Sequence, residues 1–247
     1  MTTSEYFFGR VPTVRIDAFA FPRTGSHLFR YATMGLFDLV SLPLDARHNT
    51  EAASRRDELD PDVLYALSTR EDGVPFSPVW FDMAPRGQHA DPEPTGHPTL
   101  ILARSPMPTV YSLWRVGFTR WGWEMPADPR AWVLRKFLRY RAFADAALRV
   151  LAGPSTLLLR FEDLAGDRAP DALRSLVEFV GVTPKLRPSW VARLIRFDTL
   201  TRPGQRTFHL AGDNLAWLRD QAWLDLIRGL DLPDFSDLGY PPEPLHA

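Results

Sequence analysis

Phe19-Ala20-Phe21-Pro22-Arg23-Thr24-Gly25-Ser26-His27-Leu28 decides how the rest of this chain is read. Before it, Val14-Arg15-Ile16-Asp17-Ala18 alternates apolar and polar residues, the period of a strand. After it, Leu28 to Val40 reads as a helix with apolar positions at Leu28, Tyr31, Leu36 and Leu39. Strand, tight loop with one Gly and one basic residue, then helix is a geometry that aims backbone N–H groups and the positive end of a helix dipole at one point. The spacing predicts an anion there, phosphate or sulfate. The loop is not a Walker A sequence, because it lacks the first Gly and the terminal Lys-Ser/Thr. Taken alone it divides evenly between an anion site and an ordinary strand–helix turn carrying a surface Arg.

The same pattern recurs outward from this unit. Val74 to Phe81 reads as a second strand, with Pro75 and Pro78 marking it as an edge or bent one. Met83 to Pro98 is a long Pro- and Gly-rich loop of the kind that forms lids and binding loops. Thr99-Leu100-Ile101-Leu102-Ala103 is wholly apolar apart from its first residue, as in a central parallel strand buried on both faces. A helix follows from Pro106 to about Phe118, and Asp128-Pro129 opens a long helix over 130–151. Thr156-Leu157-Leu158-Leu159 reads as a second buried strand, and 169–180 as a helix closed by Gly181. Short helices are expected at 51–59, 61–69 and 188–195, and a Trp-bearing helical tail closes the chain. Strands separated by helices predict an α/β fold, a central parallel sheet with helices on both faces. With no linker composition and no internal repeat, residues 1–247 are expected to form a single domain.

Composition bounds the function. The formal net charge is -1, so no basic surplus points to nucleic acid or an anionic membrane. No cysteine is present, which removes disulfides, Cys-ligated zinc and Cys nucleophiles together. No apolar run is long enough to span a bilayer, and residues 1–10 lack a basic segment followed by a long apolar one. The expectation is a cytoplasmic protein.

Three further segments fall at strand ends or in late loops, and each has an ordinary explanation. Arg104 ends the buried strand and Ser112 lies two turns into the next helix, a guanidinium fork and a hydroxyl suited to a second phosphate. The ordinary alternative is an Arg paired with Glu162 or Asp163. Arg160-Phe161-Glu162-Asp163-Leu164 fits a structural role, capping or pairing. Arg202-Pro203-Gly204-Gln205-Arg206 is either a cationic phosphate loop or a solvated surface loop.

In this order, the four segments resemble the sulfotransferase family that uses 3′-phosphoadenosine 5′-phosphosulfate (PAPS), over about Ile16 to Phe208. The resemblance implies a P-loop-NTPase-like three-layer fold, PAPS as co-substrate, no metal, and a small-molecule hydroxyl acceptor such as a secondary metabolite. It implies that Arg23 faces the leaving phosphate oxygen. Thr24, Gly25, Ser26 and His27 would cradle the 5′-phosphate with backbone N–H groups. Arg104 and Ser112 would hold the 3′-phosphate, with Arg202 and Gly204 helping. Leu28 stands where many relatives carry a Trp stacked on adenine, and Phe161 where many carry a Tyr near it. Many relatives also carry the catalytic base as a His in a Lys-Thr-His segment. Phe81-Asp82-Met83 aligns there and contains none, so Asp82 ranks first as base and His89 second, ahead of His97, His27 and His209. Trp114, Phe118, Trp121 and Trp123 offer an aromatic wall for the acceptor, or core. The alternatives are a nucleotide-kinase-type phosphotransferase and a catalytically inactive nucleotide-binding scaffold of the same fold.

Overall fold

The computed structural model describes residues 14–37, 79–83, 89–119, 121–195 and 215–241. The expected helices at 51–59 and 61–69, the loop bearing Arg202 and Gly204, and His209 lie outside the described residues.

Among the described residues four strands form one parallel sheet in the order β2-β1-β3-β4: β1 (Val14–Ala20), β2 (Val79–Asp82), β3 (Thr99–Ala103) and β4 (Thr156–Arg160). β1 and β3 are central, and all five residues of β3 are buried, as its apolar run predicts. β2 pairs with β1 at one edge, which suits the two prolines just upstream of it. β4 departs from its expected double burial. Only Leu159 is buried in it, because β4 has β3 on one side and no described strand on the other.

The helices divide between the two faces. α1 (Ser26–Leu36) buries Leu28, Phe29, Ala32 and Leu36 completely against Ile16, Ala18 and Ala20 of β1. α4 (Phe161–Ala165), α5 (Ala169–Val180) and α6 (Pro188–Leu194) pack on the same face, and Gly181 ends α5 at φ 69°. On the opposite face, α2 (Pro106–Thr119), α3 (Pro129–Leu151) and α7 (Gln221–Ile227) bury Phe19, Phe21, Ile101 and Ala103. Asp128 caps α3 by accepting from the Ala131 N–H at 2.9 Å. The result is three layers, with a parallel sheet at the centre.

This topology positions the site. The chain leaves β1 into a helix on one face and leaves β3, its neighbour, into a helix on the other. The carboxyl ends of β1 and β3 therefore open a crevice, the position where parallel sheets bind ligands. Arg23 follows β1 and Arg104 follows β3. No described helix is long and apolar enough to cross a membrane.

Candidate functional site

The loop after β1 is held in its shape by its own residues. The Thr24 N–H and hydroxyl both donate to the Phe21 carbonyl, at 3.2 and 2.8 Å. Arg23 takes φ 73°, unusual for a residue with a side chain, and Gly25 takes φ 101°. At Gly25 a Cβ would stand 2.4 Å from Cδ2 of Phe161, so both the dihedral and the neighbour require glycine. The first bond inside α1 is Phe29 N–H to Gly25 O at 3.0 Å. The N–H groups of Ser26, His27 and Leu28 precede it, and Gly25 at the N-cap offers no side-chain cap.

Two expected roles change here. The Thr24 N–H is engaged within the turn, so of the four residues expected to cradle a phosphate it leaves Gly25, Ser26 and His27. The Leu28 side chain is fully buried in the core under α1, so only its backbone lies at the site.

Arg104 and Ser112 converge on the same loop. The Arg23 Nε donates to Ser112 Oγ at 3.0 Å, and Arg104 Nη1 donates to the Arg23 carbonyl at 3.2 Å. Arg104 lies with its guanidinium 4.3 Å from the centre of the Phe161 ring. It is 9% exposed, and burial pushes its pKa down to about 10 despite the nearby Glu162 carboxylate. Its backbone is pinned by Tyr140, whose hydroxyl accepts from the Arg104 N–H at 3.1 Å and donates to the Arg104 carbonyl at 2.6 Å. Burial raises the Tyr140 pKa, which keeps that donor protonated.

Glu162 is a structural carboxylate. Its Oε1 accepts from the Ser105 N–H at 2.8 Å and its Oε2 from the Tyr240 hydroxyl at 3.1 Å. Asp163 pairs with Arg168. Tyr140 and Tyr240 carry no sequence signal of this role: the first reads as part of a core stripe on α3, and the second is one aromatic in a Pro-rich tail.

The two leading base candidates stand in different surroundings. Asp82 pairs in register with Asp17, three residues before the end of β1, about 10 Å back along the strand. Its Oδ2 accepts from Arg15 Nη2 at 3.0 Å, while Arg15 Nε donates to the fully buried Asp17 at 2.8 Å. His89 instead reaches the carboxyl end of β1, with Nδ1 2.9 Å from the Ala20 carbonyl. His97 is exposed.

The aromatic residues resolve into packing. At about 100° per residue, Trp114 and Phe118 lie on the far side of α2 from Ser112. Their rings meet Trp132 of α3 at 5.4 and 5.5 Å, and Trp114 meets Trp223 of α7 at 6.4 Å. Trp123 lies over Gly117, where a Cβ would come within 2.2 Å of the indole. Trp121 and Trp123 remain exposed at the edge of this cluster. Trp114 and Phe118 are both half-buried: Trp114 packs against the core between α2, α3 and α7, and Phe118 packs against Trp132 of α3 and Trp123. Among the described residues no group of His, Asp and Glu is arranged to hold a metal ion.

No protein-family model matches this sequence, and no curated protein matches it by sequence. Solved structures do match the fold. The crystal structure of mouse sulfotransferase SULT7A1 complexed with PAP aligns with a TM-score of 0.52 at 13% identity, covering 94% of this chain and 92% of that one. Retinol dehydratase in complex with androsterone and the inactive cofactor PAP aligns with a TM-score of 0.51 at 13% identity, covering 93% of this chain and 85% of its own. The parallel sheet, its layers and this likeness agree: the chain has the sulfotransferase fold.

Proposed function

We propose that this protein transfers a sulfuryl group from PAPS to a hydroxyl of a small organic acceptor. The observation that carries the reading is the meeting of Arg23, Ser112 and Arg104 in the β1–β3 crevice, beside the uncapped N-terminus of α1. Two basic side chains, a hydroxyl and a row of N–H groups make a site for two phosphates rather than one. The PAP held by the structural neighbours and the androsterone held by retinol dehydratase support a bisphosphorylated nucleotide and a small acceptor.

The chemistry is an in-line displacement at sulfur. The acceptor oxygen forms the new O–S bond as the S–O bond to the 5′-phosphate breaks, and the electron pair leaves on the phosphate oxygen. Arg23 and the α1 N–H groups stabilise that charge, which develops only as the bond breaks. Arg104 and Ser112 hold the 3′-phosphate, and Arg202 and Gly204 keep the supporting role assigned to them from sequence.

The acceptor proton goes to His89. A carbonyl only accepts, so the contact with Ala20 O puts the proton on Nδ1 and the basic lone pair on Nε2. That tautomer is the one a general base requires. Asp82, first in rank from sequence, gives way to His89 because its carboxylate already neutralises Arg15 and lies back along the strand.

Calorimetric titration with PAP and with ATP tests the nucleotide assignment. PAP is expected to bind more tightly, and a preference for ATP would move the protein to phosphoryl transfer. Sulfate transfer from PAPS to a panel of phenols and alcohols then tests the reaction. Tight PAP binding with no transfer to any acceptor would favour the inactive scaffold.

A further inference from the structure

The C-terminal segment reaches the nucleotide site through one hydroxyl. Phe235 and Tyr240 form an antiparallel bridge around a 3-10 turn at Ser236–Leu238, with the Tyr240 N–H bonded to the Phe235 carbonyl at 3.1 Å. Three anchors dock this small hairpin. Arg141 of α3 donates to the Asp234 carbonyl at 2.6 Å and to both carboxylate oxygens of Asp237 at 2.8 and 2.6 Å. Arg160 at the end of β4 donates to the Leu238 carbonyl at 2.8 Å. Phe235 packs on the Tyr140 ring with centroids 5.3 Å apart. Gly239 stands at φ 80°, and a Cβ there would come within 2.5 Å of Arg160 Nη2. The docking therefore leaves little latitude in where Tyr240 falls.

The Tyr240 hydroxyl falls on Glu162 Oε2, while Glu162 Oε1 holds the Ser105 N–H. With both oxygens engaged, the carboxylate cannot turn without breaking a bond. We propose that Tyr240 is a positioning residue of the nucleotide site: through Glu162 it fixes the Arg104–Ser105 peptide, and with it the guanidinium that reads the 3′-phosphate. The inference rests on the bisphosphate reading of the site given above. Its physical basis is the orientation of one charge. Glu162 lies within Coulombic reach of Arg104, so a carboxylate released by Tyr240 competes with the phosphate for that guanidinium. The second tie on Arg104, from Tyr140, holds only its backbone.

Tyr240→Phe removes the hydroxyl and keeps the ring that packs into the core beside Arg160. The test compares binding of PAP and of adenosine 5′-monophosphate to the full chain, wild type and variant, with thermal melting to follow folding. Tyr240→Phe is expected to weaken PAP by about three- to tenfold, the scale of one hydrogen bond, and to leave the monophosphate unchanged. Glu162→Gln, which removes the competing charge and keeps an acceptor for the Ser105 N–H, is expected to cancel this selective loss when combined with Tyr240→Phe. In Tyr240→Phe alone, equal losses for both nucleotides, or no loss for PAP, overturn the proposal, since a structural effect does not distinguish the 3′-phosphate. If the wild-type protein itself binds PAP no more tightly than the monophosphate, the bisphosphate reading fails, and that failure is visible before any variant is made.

Discussion

Gly25→Ala tests the architecture of the β1–α1 loop more sharply than any change to a charged residue. A Cβ at φ 101° costs about 1–2 kcal/mol in backbone strain. It would also stand 2.4 Å from Phe161 Cδ2, and forcing an extra methyl into packed surroundings costs about 1–3 kcal/mol. Phe161 has little room to retreat, being 6% exposed and carrying the Arg104 guanidinium on its ring. The variant is expected to lose about 2–5 kcal/mol of stability, read from the midpoint of urea unfolding. A double-mutant cycle with Phe161→Ala separates the two causes. Removing the ring abolishes the collision and leaves the strain, so the double variant should be more stable than the sum of single losses by about 1–3 kcal/mol. An alanine variant within about 0.5 kcal/mol of wild type, or losses that simply add, would refute the claim that Gly25 is dictated by Phe161.

His89→Ala is expected to lower turnover by about 10²–10⁴-fold while PAP affinity holds. Asp82→Asn should keep near-normal turnover and lose at most about 1 kcal/mol of stability, since its Arg15 partner is 34% exposed; the reverse pattern would return the base to Asp82. Hydrogen bonds from Arg141 hold the Asp237 carboxyl below the ordinary carboxylate range. Its stabilisation is therefore present above the unfolded-state value of about 4 and is lost as pH falls through the lower folded-state value. Asp237→Asn should accordingly lower the melting temperature at pH 7 and have little effect near pH 2, and an equal loss at both would show that the ion pair is not the cause.

The unit from Val14 to Leu36 was legible because its signals are local. Alternation set β1, Gly25 marked the turn, and the apolar spacing of Leu28 and Leu36 set α1. The same holds for β3, whose run of apolar residues has one reading in a parallel sheet, and for the Asp128 cap. Of the four segments expected at the site, three lie within the described residues. Their roles were less legible. Leu28 holds an expected adenine position only by resemblance, and its side chain belongs to the core. Thr24, expected as a phosphate donor, bonds within its own turn. For Trp114 and Phe118 the sequence leaves both an acceptor wall and core open, because it shows composition and not helix phase.

What only the tertiary structure decided were contacts across long separations, each governed by register or rotation. The pairing of Asp17 with Asp82 puts the expected base beside Arg15 and short of the carboxyl end of β1. The path of the 89–98 segment brings His89 to the Ala20 carbonyl. The docked C-terminal hairpin carries Tyr240 to Glu162, which lies 78 positions earlier in the chain. Sequence by itself determined that a tight glycine-bearing loop joins β1 to α1, because strand period, glycine and helix period are properties of neighbouring residues. Which side chains face that loop depends on how strands pair and helices turn against the sheet, and no run of neighbouring residues encodes that.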